Sequence, residues 1–449
     1  MTKEKIELTK EQQNAMASLG IAALNDMQCA AVAHCRLSNE MVLLAPTGTG
    51  KTLAYLLPLM EKTGGANGRG VRALVVLPSR ELVQQVATVW RGMNSGISML
   101  TLHGGRPVAD EAVRLQNVNP TVVMGTPGRL IEHLSKGSLP VDECTTLVID
   151  EFDKCLEMGF CDEMQRLVGL LPAVKARYLL SATDVAEIPV FVGADSAARL
   201  DFRSLDELPV GRTSFYKITT TPETRLQTLS ELLCSFRSEP AIVFCNFRET
   251  VDEVGTFLAK QGLSVTIYHG ALEQKSRELA LFRFCSSCTN ILVCTDLAAR
   301  GLDIKDVKHI VHFQRPMTAD VFTHRNGRTA RWGAQGTVYM LSYHDHPLPH
   351  FVPREINEYG IPRNTRLPEP ALWTTLYIGK GKRDKLSRGD IAGFLMKKGG
   401  LDQSKLGLIA LYDRCAYVAV KRSVVRELLR TVANEKIKGM KTIIEVARV

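Results

Sequence analysis

The apolar run Met41–Ala45 passes without a break into Pro46-Thr47-Gly48-Thr49-Gly50-Lys51-Thr52, and a second apolar stretch follows at once. A strand that feeds a glycine turn at the head of a helix commits the chain to a βα unit, and therefore to an open sheet of parallel strands. Gly48 and Gly50 let consecutive backbone N–H groups converge on one point at a helix start, where the dipole also favours an anion. Lys51 is placed to carry its charge to the β- and γ-phosphates of a nucleotide, and Thr52 to offer its hydroxyl to Mg²⁺. The strict pattern has Gly where this chain has Ala45. An ordinary glycine turn is the competing reading, which the Gly-Lys-Thr triplet in this setting disfavours.

A site of this kind needs an acidic group at the end of a later strand. The run Thr145–Ile149 leads into Asp150-Glu151-Phe152-Asp153. Asp150 is positioned to hold Mg²⁺ through water, and Glu151 to orient and deprotonate an attacking water. Taken alone, such a cluster is the ordinary acidic preference of a helix start. Coupled to Lys51, the balance reverses.

Short apolar runs at 41–45, 73–77, 122–124, 146–149 and 178–180, spaced by helix-length segments, predict a parallel sheet covered on both faces. A linker-like stretch at Ser204–Arg212 precedes a second alternation, with runs at 241–244, 264–268, 291–294, 309–313 and 336–341. Six prolines between 343 and 371 mark an extended connector. The remainder reads β-α-β-β-α-β, with strands near 374–379, 406–412, 414–420 and 441–447 and helices near 387–398 and 423–434. That is the ferredoxin-like or RNA-recognition order. The expected domains are therefore 1–207, 212–343 and 372–449, with a linker over 344–371.

Charge separates along the chain. Leu372–Val449 holds 17 Lys and Arg against 7 Asp and Glu, a net of +10, whereas the first 371 residues hold 39 against 40. A neutral body with a basic end points to an acidic polymer gripped at that end. The 449 residues are 45% hydrophobic and 23% charged, which excludes a disordered or fibrous chain. No apolar run reaches the ~18 residues of a membrane helix, and the charged N-terminus is unlike a signal peptide, so a soluble cytoplasmic protein is expected. Eleven scattered cysteines, an odd number, suit reduced thiols packed as small apolar groups. Cys285-Ser-Ser-Cys288 has no second pair at zinc spacing, and His344, His346 and His350 sit in a proline-dotted connector, so neither is read as a metal site.

Further segments complete a pattern. Gly20 and Gln28 precede the glycine turn; Pro78-Ser79-Arg80-Glu81-Leu82, Gly104-Gly105 and Thr126-Pro127-Gly128-Arg129 lie between the two acidic and phosphate motifs. Ser181-Ala182-Thr183 follows, then Ile242–Asn246, His269-Gly270 with Gln274 and Arg277, Thr295-Asp296 with Arg300–Asp303, and His324-Arg325 with Gly327, Arg328 and Arg331. In this order the chain resembles the DEAD-box ATP-dependent RNA helicases over almost its whole length. The resemblance implies two tandem RecA-like parallel-sheet α/β domains and a C-terminal RRM-like α+β domain.

It also implies roles. ATP would lie between the two α/β domains, held by Gln28 on the adenine edge, by Thr47, Gly48, Thr49, Gly50, Lys51 and Thr52, and by Asp303 near the ribose. Lys51, Asp150 and Glu151 would act with Arg328 and Arg331, the last two as arginine fingers. Thr52 and Asp150 would hold Mg²⁺. Asp153, Ser181, Thr183 and His324 would couple ATP to unwinding. Arg80, Gly105, Thr126, Arg129, Gln274, Arg277 and Thr295 would contact RNA phosphates and 2′-hydroxyls without reading sequence. The chain departs from the family pattern at Phe152, where Ala is usual, at Leu24, Asn25 and Asp26 in the adenine motif, and at Ser79, commonly Thr. No aromatic residue precedes Tyr55 to stack on adenine.

Residues 374–449 resemble the DbpA-type RNA-binding domain, through Leu376–Leu386, Arg388–Ile391, Asp413–Val420 and Lys436–Gly439. Tyr377 stands where such domains stack a base, while the segment Arg414–Val420 lacks the usual aromatic pair. Lys380, Lys382, Arg383, Lys385, Arg388 and Lys438 are then expected to carry much of the RNA affinity. The resemblance implies 23S ribosomal RNA as target and large-subunit assembly as process; a monomer with no membrane partner is expected. The competing readings are a non-catalytic RNA-binding scaffold of helicase descent, a DNA helicase, and a general messenger-RNA or cold-response remodeller. Intact Lys51, Glu151, Arg328 and Arg331 argue against the scaffold.

Overall fold

The computed structural model describes residues 6–46, 48–64, 70–157, 161–183, 187–194, 196–203, 213–296, 304, 307–329, 335–344, 347–353, 356–363 and 365–447. They fall into two compact units, one ending at 203 and the other beginning at 213. The linker-like stretch expected at 204–212 lies outside the described residues.

The first unit is built on seven strands: β1 (Glu40–Leu44), β2 (Ala73–Val76), β3 (Met99–Leu102), β4 (Val122–Gly125), β5 (Thr146–Ile149), β6 (Ala176–Ser181) and β7 (Ala198–Asp201). They pair in the order β3-β4-β2-β5-β6-β1-β7, all parallel. Alternate residues of one strand point to opposite faces. Met41 and Leu43 accordingly enter one apolar cluster, and Val42 and Leu44 the other. This double burial is why the strands read as unbroken apolar runs. β3 and the mostly exposed edge strand β7 lacked that signature.

The second unit carries β8 (Thr213–Thr220), β9 (Ala241–Phe244), β10 (Val265–Tyr268), β11 (Ile291–Cys294), β12 (His309–His312), β13 (Gly336–Tyr343) and β14 (Asn357–Glu358). These form a second parallel sheet in the order β10-β11-β9-β12-β13-β8-β14. The proline-rich segment expected as a plain connector thus supplies a strand. Asn357–Glu358 pairs with Tyr216 and Lys217, Glu358 accepts a hydrogen bond from the Thr219 N–H at 2.8 Å, and Tyr359 meets the Tyr216 ring edge-on at 5.3 Å.

The same unit ends in an antiparallel sheet of β15 (Trp373–Ile378), β16 (Leu406–Leu411), β17 (Ala416–Lys421) and β18 (Ile444–Val446), ordered β16-β17-β15-β18. Leu376, Ile378, Val418 and Val420 pack under the helices Arg388–Lys397 and Val425–Val432 through Ile391, Leu395 and Leu428. Ser387 starts the first of these helices with a capping box to Asp390. No helix among the described residues is long and apolar enough to cross a membrane.

Candidate functional site

In the first unit the motif segments gather at the carboxyl ends of the parallel strands, where open α/β sheets bind ligands. Ala45–Gly50 follows β1, Ser79 follows β2, Thr126 follows β4, Asp150 follows β5, and Ser181 closes β6. The helix Lys51–Lys62 starts at the glycine turn. Gly48 and Gly50 both have positive φ, near 90°, which only glycine adopts without strain. A Cβ on Gly50 would also lie 2.5 Å from the Gln28 side-chain nitrogen.

Gln28 is 7% exposed and both ends of its amide are engaged. Its Oε1 accepts from the Asn25 N–H at 3.0 Å, and its Nε2 donates to the Gly50 carbonyl at 3.2 Å. Asn25 Nδ2 donates to the Thr49 carbonyl at 2.9 Å. The adenine-motif segment therefore clamps the glycine turn directly.

Lys51 is buried at the turn and donates to the carbonyls of Ala45 and Pro46. Asp150, 4% exposed, accepts the Glu151 N–H at 2.9 Å and the Tyr55 hydroxyl at 3.2 Å. Burial pushes the Asp150 carboxyl above the usual range, while the Lys51 charge and these two donors pull it back. Glu151 is partly exposed and holds φ of 51°, a left-handed conformation uncommon for a residue with a Cβ. Phe152 is 1% exposed and packs in the apolar cluster with Leu147 and Ile149, so the bulky residue at this position is a core side chain.

Thr183 Oγ1 donates to Asp153 Oδ2 at 2.8 Å, Ser181 Oγ donates to the Thr183 carbonyl at 2.6 Å, and Lys154 Nζ lies 3.4 Å from the same Asp153 oxygen. Arg80 packs over Gly104 and Gly105, and a Cβ on Gly104 would push its guanidinium aside. Arg129 is held inward: its Nη1 donates to the Arg106 carbonyl at 3.0 Å and to Glu111 Oε2 at 3.1 Å, and His133 Nε2 meets that same oxygen at 3.1 Å. Glu111, wholly buried, was invisible in the sequence because its partners are 18 and 22 positions away. Thr126 and Thr52 are partly exposed at their helix starts.

In the second unit Arg277 donates to Gln274 at 2.8 Å along the helix Gln274–Cys285, and the Thr295 N–H donates to the Tyr268 carbonyl at 3.2 Å. Arg328 and His324 are buried. Between them in sequence, Arg325 is fully buried and binds Asp296 through Nε at 2.5 Å and Nη2 at 3.1 Å, Asn246 at 2.8 Å and the Gln314 carbonyl at 2.9 Å. It ties the ends of β9 and β11 to the helix Ala319–Asn326. The sequence placed Arg325 in a motif without a role. Thr47, Asp303 and Arg331 lie outside the described residues.

In the C-terminal sheet Tyr377 lies opposite Tyr417 in register, with ring centroids 6.0 Å apart. That face therefore carries an aromatic pair, with Tyr417 as the partner the sequence reading overlooked. Lys382, Arg383, Lys385, Arg388 and Lys438 are exposed, whereas Lys380 pairs with Asp384 at 3.0 Å and Lys438 with Asp390 at 3.1 Å. Among the described residues no group of three His, Cys, Asp or Glu side chains is arranged to hold a metal by itself. Cys285 is exposed and Cys288 buried.

Three family models match the chain: the DEAD/DEAH box helicase over residues 25–188, the helicase conserved C-terminal domain over 224–333, and the DbpA RNA binding domain over 375–446. The chain is 33% identical over 444 residues to the ATP-dependent RNA helicase DbpA of Escherichia coli, covering 96% of both chains. It belongs to the DEAD-box RNA helicases, enzymes that hydrolyse ATP and act on RNA. It is also 31% identical to the DEAD-box ATP-dependent RNA helicase CshA of Geobacillus kaustophilus, over 81% of this chain and 77% of that one. Its fold matches that of Saccharomyces cerevisiae Dbp5 bound to RNA and ADP BeF3, with a TM-score of 0.66 and 23% identity over 75% of this chain and 88% of the other.

Proposed function

We propose that this helicase remodels structured ribosomal RNA locally, with 23S rRNA as substrate during large-subunit assembly, and works as a cytoplasmic monomer. Its parts are a first helicase domain over 1–207, a second that starts at 212 and takes in the strand Asn357–Glu358, a linker over the rest of the proline-rich segment to 371, and an RNA-addressing domain over 372–449. The carrying observation is the group at the end of β1 and β5: Lys51 folded into the glycine turn, with Asp150 buried under its charge and braced by Tyr55. These residues fit a nucleotide with its Mg²⁺. Gly48 and Gly50 place no side chain at their two positions of the turn, and Asp150 presents a carboxylate that a cation would keep ionised.

In this reading Lys51 turns from the Ala45 and Pro46 carbonyls to the β/γ-phosphates, and Thr52 and Asp150 hold Mg²⁺, in part through water. The metal supplies charge neutralisation on the phosphate oxygens. Glu151 takes the proton of the attacking water. The second domain contributes Asp303, Arg328 and Arg331. Gln28 and Thr47–Gly50 bind the nucleotide, and Arg80, Gly105, Thr126, Arg129, Gln274, Arg277 and Thr295 bind the RNA backbone. Asp153, Ser181, Thr183 and His324 transmit ATP occupancy to the RNA surface. Tyr377 and the basic residues Lys380, Lys382, Arg383, Lys385, Arg388 and Lys438 choose the RNA.

The test is ATP turnover with a 23S rRNA fragment, with an unrelated structured RNA of equal length, and without RNA. Stimulation by the 23S fragment well above the other, and its loss in Glu151→Gln, is the expected result. Equal stimulation by both RNAs leaves a general remodeller, and no stimulation by either removes the proposal.

A further inference from the structure

The C-terminal sheet buries both of its faces. One covers its own helices, and the other lies on the helix Gln274–Cys285 of the preceding domain. There Leu279, Phe282 and Cys288 pack with Cys415, Tyr417 and Ala419, and the rings of Phe282 and Tyr417 are 5.8 Å apart. A sheet face of this type commonly stays open to stack bases. Here most of it is closed.

Beside the closed contact is a cavity of about 310 Å³, whose walls include Thr266, Lys275, Ser276, Tyr377, Tyr417 and Glu445. Its volume is at the lower end for small-ligand sites, suited to one planar group and too small for a helix of nucleic acid. Tyr377 is partly exposed in it, with the Lys275 ammonium 4.8 Å from its ring centroid. Glu445 stands opposite Tyr377 in register on β18 and is exposed at the mouth, as are Lys275 and Ser276. Deeper in, Tyr417 is 1% exposed, and its hydroxyl has only the weakly hydrogen-bonding Cys415 thiol beside it. A buried hydroxyl left in that state is unfavourable, and a ligand that brings a polar edge relieves it.

An aromatic wall, a cation, a carboxylate acceptor and an unsatisfied hydroxyl converge from two RNA-binding elements of the chain. The geometry points to a site for one unpaired nucleobase of a bound RNA strand. The base lies against Tyr377, its ring edge meets the Tyr417 hydroxyl, and an exocyclic amino group donates to Glu445. Lys275 neutralises the adjoining phosphate. A carboxylate accepts and cannot donate, and uracil offers it only an N3–H flanked by two carbonyl oxygens that the carboxylate repels, so an amino-bearing base is favoured. Lys275 directly follows Gln274, so the same strand would run from the helix Gln274–Cys285 onto the C-terminal sheet.

This inference rests on the RNA-helicase reading, and the two are tested together in the full chain. An adenosine decamer carrying one 8-azidoadenosine is irradiated with the protein and the labelled peptides are mapped. In parallel, stimulation of ATP turnover by the unmodified decamer is measured. The expected result is labelling at Tyr377 or Tyr417, lost in Tyr377→Leu and reduced in the isosteric Tyr417→Phe. Affinity for the decamer should fall about tenfold in Tyr377→Leu, the loss of one stacked base, and a uridine decamer should compete poorly. Labelling elsewhere only, with stimulation intact, overturns the cavity site and leaves the helicase reading standing. Labelling of the cavity by 8-azidoadenosine monophosphate but not by the decamer overturns it in favour of a free-nucleotide site. Absence of both labelling and stimulation overturns both.

Discussion

The hydroxyl of Tyr55 reaches Asp150 Oδ2 at 3.2 Å, joining the helix behind the glycine turn to the acidic end of β5. Both side chains are buried, so this hydrogen bond is made in a low-dielectric setting where an unmet carboxylate is costly. In Tyr55→Phe the ring stays and the donor goes. Asp150 then titrates higher, because the group that helped lower it is absent. The acid limb of the pH–rate profile should shift to higher pH. Half-saturating Mg²⁺ should rise about tenfold or more, the equivalent of a hydrogen bond to a charged group. A Mg²⁺ titration of ATP turnover at fixed ATP checks this.

Thr183→Ala removes the donor to Asp153 and leaves the Lys51, Asp150 and Glu151 constellation in place. Duplex separation should fall by tenfold or more, while ATP turnover changes by less than about threefold, the two rates being coupled through a bond worth roughly 1.5–3 kcal/mol. Measuring strand displacement and phosphate release in the same mixture separates the two. A parallel loss of both rates would place Thr183 in the hydrolytic step.

Glu111 is a buried carboxylate shared by Arg129 and His133. Removing it strands the buried His133 Nε2 and leaves Arg129 with only the Arg106 carbonyl at 3.0 Å and Glu132 at 3.6 Å. Glu111→Ala should therefore destabilise the first domain by about 3–5 kcal/mol in urea unfolding. Glu111→Gln, which still accepts a hydrogen bond, should cost roughly half as much. RNA affinity should fall in both, through loss of the fixed Arg129.

His312 is fully buried beside Arg325, and burial foremost, with that neighbouring charge, lowers its pKa to about 3. The unfolded chain takes up its proton near pH 6.5, before the folded one can. The stability this neutral His contributes is complete above pH 6.5 and is lost as pH falls toward 3. Against His312→Asn, the wild-type advantage in urea should shrink by roughly 2 kcal/mol between pH 7 and pH 5. Amide exchange in His309–His312 reports the domain concerned.

Lys382, Arg383, Lys385 and Arg388 are exposed on one lobe of the C-terminal domain. Changing all four to Gln should flatten the dependence of RNA binding on salt by about three in log–log slope, since each lost phosphate contact removes roughly 0.7–0.9. This set avoids a whole-domain deletion, which would bare Leu279 and Phe282 on the preceding domain. Filter binding across a salt series gives the slope directly.

How far the sequence showed these features depends on where the partners lie. β1, β2, β5, β9 and β11 were legible because both faces are buried and the runs are uniformly apolar. Thr213–Thr220 was not, since its buried and half-buried residues alternate with polar ones. The phosphate and acidic motifs were legible because each is contiguous. Tyr55 with Asp150, Glu111 with Arg129, and Phe282 with Tyr417 are joined only by folding, and no local spacing announces them. The short strand Asn357–Glu358 hid among prolines because its hydrogen bonds are backbone pairs to an edge.

That strand also sets the reach of the C-terminal domain. With Asn357–Glu358 paired and Tyr359 and Ile361 packed on the second core, the chain is pinned until 361, and the Ala371 carbonyl is caught again by Arg422 at 2.8 Å. The leash between is roughly nine residues, ~30 Å at full stretch. An RNA held by the basic domain is thus kept beside the helix Gln274–Cys285, on which the C-terminal sheet packs through Phe282 and Tyr417. Capture by one element turns engagement by the other from a bimolecular search into a first-order step, indifferent to how scarce the RNA is.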